Sequence, residues 1–182
     1  MLRRSAVVLC AVATLMVFTM VDASAASPHF KHGGEPTCTI SGSGSSQTVV
    51  CRASLAGLGN GDVTVNVTVS GFAVYQCQNP GGNLAPGQNK VLEGPQTVPT
   101  TIPSASVKNG NVTFTTNPNT LTAAPTVSGA AAGCPNGNWT GVNPTLSITQ
   151  ISMTIAQGGT TLFMCASATD PNGLSGTVSL SC

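Results

Sequence analysis

An all-β fold, a single antiparallel β-sandwich held by disulfides, is predicted by three features of this sequence. They are one segment of strict period-two alternation, turn residues spaced at strand length, and an even set of cysteines beyond the leading segment. The alternation is Val63-Thr64-Val65-Asn66-Val67-Thr68-Val69-Ser70, with valines on one side of an extended chain and polar residues on the other. Turn chemistry recurs at 41–46 (SGSGSS), 57–62 (GLGNGD), Asn109-Gly110, Gln157-Gly158-Gly159 and Asp170-Pro171-Asn172-Gly173. Many short strands divided in this way make a sandwich or barrel, and no stretch carries a sustained helical period.

In chain order, residues 1–25 read as a secretory signal peptide. Arg3 and Arg4 precede an apolar run from Ala6 to Val21, and Ala23-Ser24-Ala25 gives the small-residue cleavage pattern. The run is short for a membrane span, and it is expected as a helix with few contacts to the domain. Residues 26–36 read as a disordered polar tail, and 37–182 as the sandwich, immunoglobulin-like in a broad sense. Strands are expected at 37–40, 48–53, 63–70, 72–77, 111–116, 146–156, 161–168 and 177–182. Residues 94–103 carry three prolines (Pro95, Pro99, Pro103), which confines them to an edge strand or an extended connection. Residues 117–133 read as irregular, and CQNPGGNLAPGQN (77–89) as a solvent-facing loop.

Beyond residue 25 the charges are Lys31, Arg52, Lys90 and Lys108 against Glu35, Asp62, Glu93 and Asp170, which cancel. Such a chain has no basic stripe for phosphates, so nucleic acid is excluded as a partner class, and weak colloidal repulsion favours adhesion to surfaces. Its six remaining cysteines, Cys38, Cys51, Cys77, Cys134, Cys165 and Cys182, read as three disulfides of an exported protein. Zinc is the competing use, but no two are closely spaced and the two histidines, His29 and His32, lie in the tail. Hairpin pairing of 37–40 with 48–53 sets Cys38 opposite Cys51 and Ile40 opposite Val49. Pairing of 161–168 with 177–182 joins Cys165 to Cys182, leaving Cys77 for Cys134.

Candidate chemistry is sparse. A nucleophile–histidine pair would need a tail histidine, and of the four carboxylates Asp62 and Asp170 fit turn positions. No catalytic, cofactor or metal residues are assigned. Sequons at Asn66, Asn111 and Asn138 are what a chain this rich in Asn, Ser and Thr produces unaided, and two fall inside expected strands. The 77–89 segment lacks the helix that a phosphate cradle needs. It is left as a candidate binding surface for hydrogen-bonding groups, formed by Asn79, Asn83, Gln88 and Asn89. Trp139, five residues after Cys134, would join them if the Cys77–Cys134 bond brings it alongside and it is exposed. A buried Trp139 would brace the disulfide instead.

The CTISGSG start, TVVCRASLAGLGNGDVTV, CQNPGGNLAPGQN, GCPNGNWT and the close on Cys182 together resemble small secreted proteins of actinobacteria. The resemblance covers essentially all of the chain beyond residue 25 and brings no activity with it. In composition the chain is also similar to the neocarzinostatin-like apoproteins, immunoglobulin-like carriers of small molecules, although the cysteine spacings here are not theirs. The expected function is therefore that of a secreted, non-catalytic extracellular protein binding a surface or a cell-envelope or matrix polymer, without cofactors and without a membrane span after cleavage. A carrier of a small apolar ligand in a cleft between the sheets is the alternative.

Overall fold

The valine stripe at 63–69 lies at the centre of the domain, each of its valines fully buried. A computed structural model describes residues 27–182, and the expected signal helix lies outside them. In chain order the strands are β1 (His29–Phe30), β2 (Thr37–Ser43), β3 (Ser46–Ala56), β4 (Val63–Gln78), β5 (Leu84–Ile102), β6 (Val112–Thr115), β7 (Asn119–Thr122) and β8 (Val127–Ser128). A one-turn helix α1 (Gly129–Ala132) and strands β9 (Thr140–Gln157), β10 (Thr160–Ala166) and β11 (Thr177–Ser179) follow.

These elements form two antiparallel sheets. In the first, β3 is flanked on one side by β2, with β1 continuing that edge, and on the other by β6 and β7, while β11 lies outside β2. The second runs β10-β9-β4-β5, with β8 added to one end of β9. Taking β2, β3, β4, β5, β6–β7, β9 and β10 as A, B, C, C′, E, F and G, the sheets are A-B-E and C′-C-F-G, the immunoglobulin-like division. The inward faces meet in one cluster, to which Val49, Leu55 and Phe114 contribute from the first sheet and Val65, Ile151 and Ile155 from the second. Each large side chain so buried contributes about 1.5–3 kcal/mol.

The predicted β2–β3 hairpin has the expected register, Cys38 opposite Cys51 and Ile40 opposite Val49. The Cys51 amide and carbonyl both bond to Thr116 on the far side, so Cys38 and Cys51 form a non-hydrogen-bonded pair with Cα atoms 3.9 Å apart, close enough to bridge. Cys77–Cys134 and Cys165–Cys182 complete the three expected disulfides. At Gln157–Thr160 the two-residue turn uses Gly158 (φ 56) and Gly159 (φ 85), positive-φ positions suited to a tight hairpin.

Five expectations change. The runs 63–70 and 72–77, expected as two strands broken at Gly71, form the single continuous strand β4. Residues 29–34 do not form a disordered tail: His29 and Phe30 pair with Ala56 and Leu55, Lys31 N–H donates to the Ser54 carbonyl, and the Phe30 ring lies 4.5 Å from that of Phe163. An apolar anchor with two paired residues supplies too little periodicity to read. Residues 117–133 contain β7, β8 and α1, elements of four residues or fewer in which no period can repeat. The 77–89 segment is the tip of the β4–β5 hairpin, with a turn at 79–83 and β5 resuming at Leu84; Pro86 and Gly87 are accommodated because β5 is an edge strand that bulges there. Finally, 177–179 pairs with β2, and only the Ala166–Ser181 bridge returns to β10, so the C-terminal segment stitches the two sheets along one edge.

Candidate binding face

The alternation that buries the valines turns a second set of residues outward. Across the second sheet these form rungs in register: Thr101, Thr64, Ala156, Thr161; then Pro99, Asn66, Thr154, Met164; then Thr97, Thr68, Ser152, Ala166. Strand geometry sets neighbours about 4.8 Å apart across the sheet and about 6.7 Å apart along a strand. None of these residues is charged.

The first sheet also carries outward hydroxyls, but there they are engaged with one another. Ser46 with Thr122, Thr48 with Thr120 and Ser54 with Thr113 pair at 3.0, 2.8 and 2.8 Å, and the exposed cation Arg52 lies between Thr37 and Thr115. On the second sheet only Thr68 and Thr97 are so paired, at 2.7 Å. Thr64, Thr101, Thr154 and Thr161 make no side-chain hydrogen bond to the described residues, so their hydroxyls face solvent as both donors and acceptors.

At the other end of this face the sheet opens. Between Val74 and Gln76 the register slips on both sides of β4, from Thr145 to Val142 on β9 and from Lys90 to Pro86 on β5. A hollow of about 560 Å³ lies over this double bulge, lined by Val74, Tyr75, Gln76, Pro86, Gly87, Asn143 and Thr145. Asn143 has φ 51, a left-handed conformation that Asn tolerates, and its Nδ2 donates to Gln76 Oε1 at 2.9 Å. Gly87 is required by close approach: a Cβ there would sit 2.4 Å from the Tyr75 carbonyl oxygen and 2.8 Å from that of Ala132. Between hollow and rungs, Lys90 lies over the Phe72 ring (4.1 Å to its centroid) and donates to the Pro171 carbonyl, so the 170–173 turn arches over the sheet.

The sequence-predicted residues are distributed differently. Asn79 and Asn83 close the hairpin turn, the Asn79 side chain accepting from the Asn83 amide at 2.9 Å. Asn89 donates to the carbonyls of Ala130 and Ala131 and so holds α1. Gln88 is exposed on β5, and Trp139 is half-buried against the core. The disulfide does bring β4 and the 134–139 turn together, but the nearby hollow of about 430 Å³ is lined by Gln78, Asn79, Pro80, Gly82, Asn138 and Thr140, without Trp139. Asn79 is the only one of the five that lines a hollow described here. Gln76, Asn143 and the free threonines were missed. The threonines were legible as the other half of the period-two stripe, whereas a bulge leaves no period.

Among the described residues the buried side chain that titrates is Tyr75, which donates to the Ala124 carbonyl (2.9 Å) and to Glu93 (3.4 Å). Burial, then the neighbouring Glu93 charge and hydrogen bond, hold its phenol above the ordinary tyrosine value. The Asp170 side chain accepts from the Asn172 amide, the turn role expected of it, whereas that of Asp62 accepts from the Ser104 amide, 42 residues away. No group of three or more His, Cys, Asp or Glu among the described residues could hold a metal. A groove of about 480 Å³ opens at the β5–β6 edge over the buried Ile102, Val112 and Phe114, with Lys31 and Lys108 at its rim. Three intrachain disulfides are those of a protein folded in an oxidising compartment, and no described helix is long and apolar enough to cross a membrane. No family model, curated protein or solved structure matches the chain, which leaves the geometry of this face to carry its chemistry.

Proposed function

We propose that this is a secreted, non-catalytic extracellular protein that attaches to a polymer surface of the cell envelope or matrix through the outer face of its second sheet. The observation that carries this reading is the set of uncharged rungs in which the hydroxyls of Thr64, Thr101, Thr154 and Thr161 have no hydrogen-bond partner among the described residues. A neutral, hydroxyl-bearing surface satisfies such groups without the desolvation that burying ions would cost. Near-zero net charge favours adhesion in the same direction.

The test is co-sedimentation of the oxidised protein with isolated cell envelopes and with extracellular matrix. Retention that persists in about 1 M salt, where the Debye length is about 3 Å, is expected. Recovery of free monomer in every fraction would sink the proposal. Carriage of a small apolar ligand is the second reading and rests on the β5–β6 edge groove, whose volume is in the range of small-molecule sites. It ranks lower because Ile102, Val112 and Phe114 are already packed into the core.

A further inference from the structure

We infer that the hollow over the double bulge of β4 binds a sugar residue of a neutral glycan, with Gln76 and Asn143 as its recognition pair. The inference rests on the surface-binding reading above and names the ligand class and the site. The Asn143–Gln76 hydrogen bond uses one donor and one acceptor of the two amides. Asn143 Oδ1 and Gln76 Nε2 remain without partners among the described residues, and exchanging the orientation of both amides again leaves one acceptor and one donor. A fixed donor beside a fixed acceptor is the pattern that two vicinal hydroxyls satisfy, each giving one hydrogen bond and receiving one. A phosphate or carboxylate only accepts, and no residue lining the hollow is charged.

The remaining lining suits the same ligand. Pro86 and Val74 present apolar surface against which the C–H groups of a sugar ring can pack, and Thr145 adds a hydroxyl. The site is also rigid. Its floor is the contact of Gly87 on the Tyr75 and Ala132 carbonyls, and the Cys77–Cys134 disulfide and the Asn89 bonds to α1 clamp it on one side. Rigid support keeps a small set of polar groups in binding geometry without an ordering cost on association. The hollow opens on the face that carries the threonine rungs, so one chain could contact both.

The experiment is depletion of the oxidised protein, in about 1 M salt, by chitin, cellulose, mannan and arabinogalactan, followed by calorimetry with the oligosaccharide of whichever polymer retains it. Gln76→Ala and Asn143→Gly, the latter keeping the left-handed backbone, are expected to weaken binding about tenfold each. The double variant should lose little more, because the amides act as a pair. Isosteric Gln76→Glu, which replaces the free donor by an acceptor, should lose binding while retaining the melting transition. If a polymer binds and these four variants bind it as well as the wild-type protein does, the hollow is overturned; loss of binding in Thr154→Val then leaves the face reading standing. If none of the polymers retains the wild-type protein, the glycan inference fails. Envelope attachment then decides separately whether the face reading fails with it.

Discussion

Asn119 is fully buried in β7, and its side chain crosses between the sheets: Nδ2 donates to the carbonyls of Val67 on β4 and Gln96 on β5, both at 2.9 Å. Its Oδ1 has no partner. Asn119→Ala removes two hydrogen bonds worth about 1 kcal/mol each, strands two carbonyls and relieves one orphaned acceptor, for a net loss of about 2 kcal/mol. In a domain of this size that lowers Tm by about 4–8 °C. Asn119→Asp keeps the shape but sets a carboxylate against two carbonyl oxygens, and an unpaired buried charge costs about 3–5 kcal/mol. The introduced carboxyl would have its pKa raised in the folded state above the ordinary value of about 3.9. Its stability is therefore greatest below that value and is lost as pH rises through the folded pKa. Urea unfolding followed by the fluorescence of Trp139, the single tryptophan, should show the Asp variant well below the Ala variant at neutral pH, with the gap closing in acid. Equal stability of the two variants at neutral pH would refute the clamp.

Tyr75 is the only tyrosine, so phenolate absorbance reports it alone. Because burial and Glu93 raise its folded pKa, the midpoint of its ionisation in the native protein should lie above the ordinary value of about 10. The stability that this group contributes is complete below that value and lost as pH climbs through the folded one, and Glu93→Gln should lower the midpoint only part of the way. Among the disulfides, replacing Cys77 and Cys134 by alanine should cost more than replacing Cys38 and Cys51. The closures span 57 and 13 residues, about 4 against about 3 kcal/mol on chain entropy, and denaturant midpoints measure the order. Gly87→Ala should cost about 1–3 kcal/mol by forcing β5 away from the Tyr75 and Ala132 carbonyls, read as a fall in Tm.

Local pattern and pairwise spacing were sufficient for much of this domain. The alternation of 63–70 identified a buried face and an outward hydroxyl face in one stroke. The turn residues located the β2–β3 hairpin closely enough to set Cys38 against Cys51, and the prolines of β5 marked an edge strand. These properties depend on residues a few positions apart, which a chain displays before it folds. What only the tertiary structure decided depends on partners distant in sequence. Phe30 is ordered by Phe163, and Asn119 is fixed by carbonyls 52 and 23 residues away. Gln76 meets Asn143 across 67 residues because β4 slips register against both neighbours at one point. A bulge inserts residues without changing composition or period, so the hollow it creates has no signature along the chain. The amide-rich 77–89 segment had the composition of a site, but its amides close a turn and hold a helix. By itself the sequence determined a disulfide-braced β-sandwich with an uncharged hydroxyl face. Which polar groups remain free to bind was decided by three-dimensional hydrogen bonding, because a side chain's availability depends on the partners that folding brings to it.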